Sequence, residues 1–175
     1  MTSRFRSDSP RPADYPALPH EYLTIGQGGV FRSPTVIQTV LGSCVVVAMH
    51  CPRTRFGGIF HSLLPRAGKH IPHADRYRFV DSAVCALLAE FKEAGSRPRG
   101  LEIKIFGGGS PLGVGRAATG QGNAETALEV LTILGLKPAA VSVGGNVGRK
   151  IFFRTDTGEI LQKKFQIQHI KQKEF

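Results

Sequence analysis

The sequence lacks several features that would place it in a familiar class. No apolar run approaches the length of a membrane-spanning helix. The first twenty residues contain no apolar stretch and no cleavage-type ending, so no signal peptide is predicted and a cytoplasmic location is expected. Cysteine is scarce: Cys44, Cys51 and Cys85 are the three in the chain, and none lies in a Cys-x-x-Cys pair. This count argues against a disulfide framework and a structural zinc site, and it leaves cysteine catalysis as a hypothesis to test.

The composition indicates one basic globular domain. The 175 residues, 41% of them hydrophobic, are enough for a single core. The formal charge of +10 attracts acidic partners, whether nucleic acid, membrane or protein. The charge is spread out, however, and no aromatic-and-basic motif of RNA-binding proteins is present. We therefore interpret it as a solvated basic face, with neither nucleic-acid binding nor membrane insertion expected.

The chain divides into three parts by composition. Residues 1–20 carry four prolines among Ser, Arg and Asp, which predicts a flexible arm. Residues 21–167 form the predicted domain, and residues 168–175 form a basic tail.

Hydrophobic periodicity predicts two main helices and many strands. The helices are expected at 75–94 and at 124–134, the second with Asn123 as its N-cap. The predicted strands are 21–25, 35–41, 44–49, 57–63, 101–106, 139–143, 150–154 and 159–167. Glycine-rich stretches, 26–29 among them, are interpreted as turns between strands. The pattern predicts an α+β or layered α/β domain.

Cys44 follows a Gly42-Ser43 step and opens a β-branched run. Glycine permits a sharp turn there, and such a turn can present backbone N–H groups beside the sulfur. Those donors could stabilise the oxyanion that forms when a thiolate attacks a carbonyl carbon.

His61 lies on the next predicted strand. If the two strands form an antiparallel hairpin centred between Pro52 and Arg53, Cys44 lies directly opposite His61 on one face. An imidazole beside a thiol can take its proton and generate a nucleophile. Such a pair could hydrolyse a glutamine side-chain amide through a thioester, and the same steps would hydrolyse a glutamyl methyl ester.

Other interpretations remain open from the residues alone. A cysteine among valines is commonly a small core residue, and a strand histidine is commonly structural. Cys51 and Cys85 are interpreted in that structural sense. The glycines at 107–109 and 113–115 fit a nucleotide-binding loop poorly, and no Walker lysine accompanies them. His70 and His73 lack a carboxylate partner, so no metal site and no cofactor are expected.

Several short motifs, in order along the chain, resemble the CheD family. They are Leu41-Gly42-Ser43-Cys44-Val45, Gly57-Gly58 with His61 and Leu64-Pro65, Phe106-Gly107-Gly108-Gly109, Gly120-Gln121-Gly122-Asn123, Gly144-Gly145-Asn146-Val147-Gly148-Arg149-Lys150-Ile151, and Thr157-Gly158-Glu159 followed by Lys163-Lys164. Each motif is weak alone, and together they are specific. They run from about residue 21 to residue 165.

The resemblance implies a cytoplasmic deamidase of glutamines on methyl-accepting chemotaxis receptors. Cys44 would be the nucleophile and His61 its base. The fold would be similar to the catalytic domain of cytotoxic necrotizing factor toxins, and a phosphatase similar to CheC would be a partner. The alternatives are a non-catalytic adaptor that binds receptors or such a phosphatase on the same scaffold, and a basic nucleic-acid-binding protein.

The resemblance also implies a threonine five or six positions before the cysteine. Gln38 is six positions before Cys44 and Thr39 is five. Strand alternation places Gln38 on the face of Cys44, whereas residue type favours Thr39, so Thr39 is preferred slightly and Gln38 remains the alternative.

Two glycine pairs are expected to form the rims of a shallow substrate cleft, because glycine allows a partner to approach closely. They are Gly107 with Gly108, and Gly144 with Gly145.

Overall fold

The computed structural model describes residues 5–6, 17–111 and 117–166. Most of the predicted arm, all of the predicted tail and the glycines at 113 and 115 lie outside these described residues. The division into arm, domain and tail therefore stays a prediction.

Ten strands are assigned in the described residues. In chain order they are β1 (Phe5–Arg6), β2 (His20–Tyr22), β3 (Gly28–Phe31), β4 (Val36–Leu41), β5 (Val45–Cys51), β6 (Phe56–Ser62), β7 (Glu102–Gly107), β8 (Ala140–Val143), β9 (Gly148–Arg154) and β10 (Ile160–Phe165). They form two five-stranded mixed sheets: sheet I in the order β1-β10-β9-β4-β2, and sheet II in the order β3-β6-β5-β7-β8.

Two helices complete the fold. Helix α1 spans Val80–Glu93 and α2 spans Ala117–Ile133, and both pack against sheet II. No helix of the described residues is long and apolar enough to cross a membrane. The layered α+β architecture expected from the sequence is confirmed, and the likeness to the toxin domain stays a prediction.

Two apolar cores separate the three layers. One fills the space between the helices and sheet II, with Val45, Val47 and Leu87 among its buried residues. The other lies between the two sheets and includes Cys44 and Val46. Alternate residues of β5 therefore enter different cores, as strand geometry requires. Burial on both faces explains why β5 is an almost continuous run of apolar residues.

The prediction for α1 begins too early. Residues 73–75 form a short 3₁₀ turn, and Phe79 is extended, with φ −112° and ψ 136°. The backbone before the helix is hydrogen-bonded to a distant segment instead: the N–H groups of Leu63 and Leu64 both donate to the Arg78 carbonyl. This long-range pairing overrides the helical periodicity of residues 75–79.

The prediction for α2 begins too late. The helix starts at Ala117, so Asn123 lies inside it and is not its N-cap. Gly120 and Gly122 lower the helix propensity of this first part. A Cβ atom on Gly120 would lie 2.5 Å from the carbonyl oxygen of Gly109, so close packing against that loop selects glycine here.

Strand β3 was not predicted, because its first two residues are glycines. It pairs antiparallel with β6, and Gly28 lies opposite Phe60. A Cβ atom on Gly28 would lie 2.7 Å from the Cβ of Phe60 and 2.8 Å from the Tyr77 ring. The glycine that resembles a turn signal in the sequence is required here by close packing.

Candidate active site

The hairpin that carries Cys44 and His61 forms, but in a different register from the predicted one. Val46 pairs with His61, and Val45 pairs with Ser62. The last pair before the turn is Cys51 with Phe56, so the turn contains four residues and its centre lies one position later than expected. The prediction that Cys44 lies directly opposite His61 is therefore wrong.

The shift keeps Cys44 and His61 on the same face of sheet II. The observed register differs from the predicted one by two residues, and a shift of two leaves every side chain on its original face. Cys44 therefore lies diagonally from His61 on that face. Both side chains point into the space between the sheets, where Cys44 joins the inter-sheet core. Cys44 is 6% exposed and His61 is 3% exposed.

Thr39 reaches this face from the opposite sheet. It lies on β4, and its Oγ1 is 2.9 Å from His61 Nδ1. Its hydroxyl donates to the carbonyl oxygen of Leu23 at 2.8 Å. Gln38 pairs with Tyr22 of β2 and Phe152 of β9, and its side chain lies on the other face of sheet I. Of the two candidates, Thr39 is therefore the one that contacts the histidine.

Strand alternation does not relate residues 38 and 39 to Cys44, because β4 and β5 belong to different sheets. The chain leaves sheet I after Leu41 and enters sheet II at Val45. Residues on facing strands of two sheets need not share parity, and the intervening turn resets the alternation. Thr39 of β4 and Cys44, just before β5, can therefore both point into the space between the sheets although one number is odd and the other even.

The contacts of Thr39 fix the tautomer of His61. Since the single hydroxyl proton of Thr39 is donated to Leu23, Oγ1 accepts the hydrogen bond from Nδ1–H of His61. Nε2 then carries the lone pair, and no described residue gives it a hydrogen bond. Burial lowers the pKa of His61 to about 4, only partly opposed by a hydrogen bond involving Leu23. At neutral pH the ring is uncharged and can accept a proton.

The turn before β5 is held by hydrogen bonds to each of its carbonyl groups. Gly42 accepts from the N–H of Gly109 at 2.9 Å, and Cys44 accepts from the N–H of Gly108 at 2.8 Å. The Ser43 carbonyl accepts from Asn123 Nδ2 at 2.9 Å. All three residues are therefore fixed by the segment that follows β7 and by α2.

Asn123 ties together the two segments that carry the cysteine and the histidine. Its Nδ2 also donates to the Leu63 carbonyl at 2.9 Å, just beyond the end of β6. The side chain is fully buried in α2. From the sequence, Asn123 is predicted only as an N-cap. Its spacing of four residues from Ala127 and eight from Leu131, both buried, is the signal that could have identified it as an inward-facing polar residue.

The glycines expected to form a cleft lie beside this turn. Gly108, Gly144 and Gly145 line a groove of about 380 Å³ between α2 and the β8–β9 loop, with Leu128 on its apolar side. Gly107 does not line the groove. It is buried, with φ +113°, and a Cβ atom there would collide with the Cys44 carbonyl oxygen.

The other cysteines lie apart from this cluster. Cys51 is buried at the far end of β5, and Cys85 is exposed on α1. Within residues 5–6, 17–111 and 117–166, no group of three or more His, Cys, Asp or Glu side chains is arranged to hold a metal ion.

Comparison with known proteins connects this arrangement to a family. The model of the family described as CheD chemotactic sensory transduction matches residues 63–164. A protein of Geobacter sulfurreducens named as a probable chemoreceptor glutamine deamidase CheD 2 is 44% identical over 154 residues, which cover 87% of this chain and 94% of that protein. The chain belongs to the CheD family.

Two further relatives of the CheD family are similar over most of their length. The protein of Maridesulfovibrio salexigens, also named as a probable chemoreceptor glutamine deamidase, is 38% identical and aligns over 83% of this chain and 91% of its own. The Thermotoga maritima protein, named as a chemoreceptor glutamine deamidase, is 36% identical over 81% of this chain and 90% of its own. The family model begins at residue 63, after the three proposed site residues. The alignment with the Geobacter sulfurreducens protein covers 87% of the chain and therefore includes positions 39, 44 and 61.

Proposed function

We propose that this protein is a chemoreceptor glutamine deamidase in which Cys44 is the nucleophile, His61 the base and Thr39 the residue that orients the base. The observation that carries the proposal is the hydrogen bond between Thr39 and Nδ1 of a buried, uncharged histidine on the face that Cys44 shares. It leaves Nε2 as the proton acceptor on the face of sheet II that carries the Cys44 thiol. Membership of the CheD family, with relatives named for this activity, supports the same assignment.

The first half of the reaction transfers the acyl group to sulfur. Nε2 of His61 takes the thiol proton, and the thiolate forms a C–S bond to the carboxamide carbon of glutamine. The carbonyl electron pair moves onto oxygen, and backbone N–H groups of the turn at Gly42 and Ser43 stabilise that oxyanion. When the intermediate collapses, the C–N bond breaks and Nε2 returns its proton to the departing ammonia.

The second half releases glutamate. A water molecule attacks the thioester carbon while Nε2 of His61 takes its proton, the C–S bond breaks, and the proton returns to sulfur. The net change is glutamine plus water to glutamate plus ammonia. No cofactor enters the balance.

The substrate we propose is a glutamine on a methyl-accepting chemotaxis receptor. The groove lined by Gly108, Gly144 and Gly145 lies beside the turn that carries Cys44, since the N–H of Gly108 donates to the Cys44 carbonyl, and we propose that a receptor helix docks there. We also propose that the protein binds a phosphatase similar to CheC and that it acts in the cytoplasm.

The test compares Cys44→Ala with the matched variant Cys85→Ala on receptor fragments that contain glutamine. Mass spectrometry should show a gain of about 1 Da per converted glutamine for the wild type and for Cys85→Ala, because an amide becomes an acid. Cys44→Ala should show none and should still bind the fragments. Conversion by Cys44→Ala at the wild-type rate would rule out the proposed nucleophile. Binding without conversion by the wild-type protein would favour the adaptor alternative.

A further inference from the structure

Arg149 is a buried cation with no counter-ion among the described residues. It is the second residue of β9 and is 2% exposed. Its Nη2 donates to the Gly144 carbonyl at 2.8 Å, whereas Nε and Nη1 have no hydrogen-bond partner. None of the ion pairs in residues 5–6, 17–111 and 117–166 includes it.

This arrangement is unfavourable for stability on its own. A guanidinium stays charged at neutral pH even though burial lowers the pKa of Arg149. Burying a charge without a partner is costly, and an apolar side chain of similar size is commonly as stable or more stable at such a position. Ile151 and Phe153, the next inward residues of β9, are apolar. The position could therefore be apolar too, and stability alone does not account for the charge.

The position of Arg149 relates it to the proposed nucleophile. It pairs with Leu41, the last residue of β4 before the turn that carries Cys44. A Cβ atom on Gly109 would lie 3.2 Å from Arg149 Nη1, and the N–H of Gly109 donates to Gly42. The guanidinium thus packs against the segment whose N–H groups hold the Gly42 and Cys44 carbonyls.

We infer that Arg149 is a positioning residue whose buried charge balances the negative charge that forms at Cys44 and at the oxygen of the attacked amide. The inference rests on the proposed function. The thiol proton moves to His61, so the sulfur and then the amide oxygen carry negative charge in a space with little water. A cation held nearby by the fold favours both states without giving up a proton. Its hydrogen bond to Gly144 also fixes one rim of the groove.

In the part of the chain that the structure describes, few other charged groups lie on the elements around Cys44. β6 contributes His61, α2 contributes Glu125 on the exposed wall of the groove, β9 contributes Arg149, and β10 contributes Lys164, an exposed residue that pairs with Arg149. β4 has no charged residue, and the ionisable residues of β5 and β7 lie toward the opposite end of those strands. Apart from His61, Arg149 is therefore the residue of the sheets whose replacement should change the electrostatics of the thiol most.

The test measures the thiol itself. The rate at which iodoacetamide alkylates Cys44 is followed against pH by peptide mass spectrometry, with Cys51 and Cys85 as internal references. In Arg149→Gln and Arg149→Met the midpoint of the profile should move up by about one pH unit, because the thiolate loses a favourable charge. Arg149→Lys should retain most of the wild-type profile. Lys150→Gln removes a charge from the next residue, on the outer face of sheet I beside Phe152, and should leave the profile unchanged.

Steady-state kinetics on receptor fragments provides a second readout. Arg149→Gln and Arg149→Met should lower kcat about 10- to 100-fold with little change in KM, because the charge acts on states that follow binding. A folded Arg149→Met protein with the wild-type alkylation profile would overturn the inference. If neither Arg149→Gln nor Arg149→Met folds, the inference is also overturned, because the charge would then be required for the stability of the fold. The alkylation profile does not require deamidation, so this outcome is distinguishable from retained activity in Cys44→Ala.

Discussion

At the scale of single residues, one hydroxyl group determines the orientation and the tautomer of His61. Thr39 donates its proton to Leu23 and so accepts from Nδ1–H of His61. A valine at position 39 would have nearly the same shape but could not orient the ring. Threonine and valine would fit this strand position equally well, and the hydrogen bond to His61 is what distinguishes threonine from valine here.

The burial of His61 makes the stability of the protein depend on pH. Its pKa falls from an ordinary value of 6.5 to about 4 on folding, chiefly through desolvation. The unfolded chain therefore binds more protons between these values, and stability is lost as the pH falls from 6.5 toward 4. Between pH 7 and pH 5 the free energy of unfolding should decrease by roughly 2 kcal/mol from this group.

Urea unfolding of the wild type and of His61→Gln at the two pH values measures this contribution. The variant should lack this part of the decrease. His50→Gln is the comparison variant and should also lose part of the decrease, because burial lowers the pKa of His50 too, at the opposite end of the sheets. An equal decrease in the wild type and in His61→Gln would contradict the assignment.

At the scale of elements, α2 connects the two segments on which the site depends. A single amide group, Asn123 Nδ2, donates to carbonyls on either side of the site, at Ser43 and at Leu63. A helix placed across the ends of two strands can in this way fix their relative position without contributing a reacting atom.

Replacing Asn123 should therefore lower stability and activity together. Asn123→Leu keeps the size of the side chain but leaves two partly buried carbonyls without a donor, at a cost of about 2–4 kcal/mol. Urea unfolding and kcat on receptor fragments measure the two effects. Gln121→Ala, at an exposed position of the same helix, should change the free energy of unfolding by less than about 0.5 kcal/mol. A folded Asn123→Leu protein with wild-type stability would show that these hydrogen bonds are dispensable.

At the scale of the whole molecule, sheet II lies between the helices and sheet I, and glycines set the spacing on both of its faces. Gly57 and Gly58 are neighbours on β6. A Cβ atom on Gly57 would lie 2.5 Å from the Thr155 carbonyl oxygen, and one on Gly58 would lie 2.7 Å from the Phe91 ring of α1. The motif therefore sets the distances between layers and has no direct contact with the groove.

Gly57→Ala should push the layers apart and destabilise the protein by about 1–3 kcal/mol, as overpacking does. Gly57 pairs with His50, at the end of β5 away from Cys44, so kcat of the folded protein should be unchanged. Thermal unfolding is the measurement. Gly100→Ala is the matched control, since a Cβ atom there has no atom within 4 Å, and its melting temperature should not fall. A comparable decrease in both variants would argue against the spacing role.

The sequence alone determined the local elements of the site. A thiol after a Gly-Ser turn and a histidine on the following strand belong to one hairpin, and a hairpin depends mainly on a short turn between adjacent strands. The predicted pairing was wrong by two residues, because the four-residue turn is centred one position later than assumed. The same-face relation survived, because strand alternation tolerates a shift of two.

Only the tertiary structure decided how the two sheets meet. It brought Thr39 rather than Gln38 to His61, buried Arg149 beside the turn and placed Asn123 across two chain segments. Each of these contacts joins residues that are distant in sequence or lie on facing layers. Periodicity gives the face of a strand that a residue occupies, whereas the identity of the opposing layer depends on how the whole chain packs.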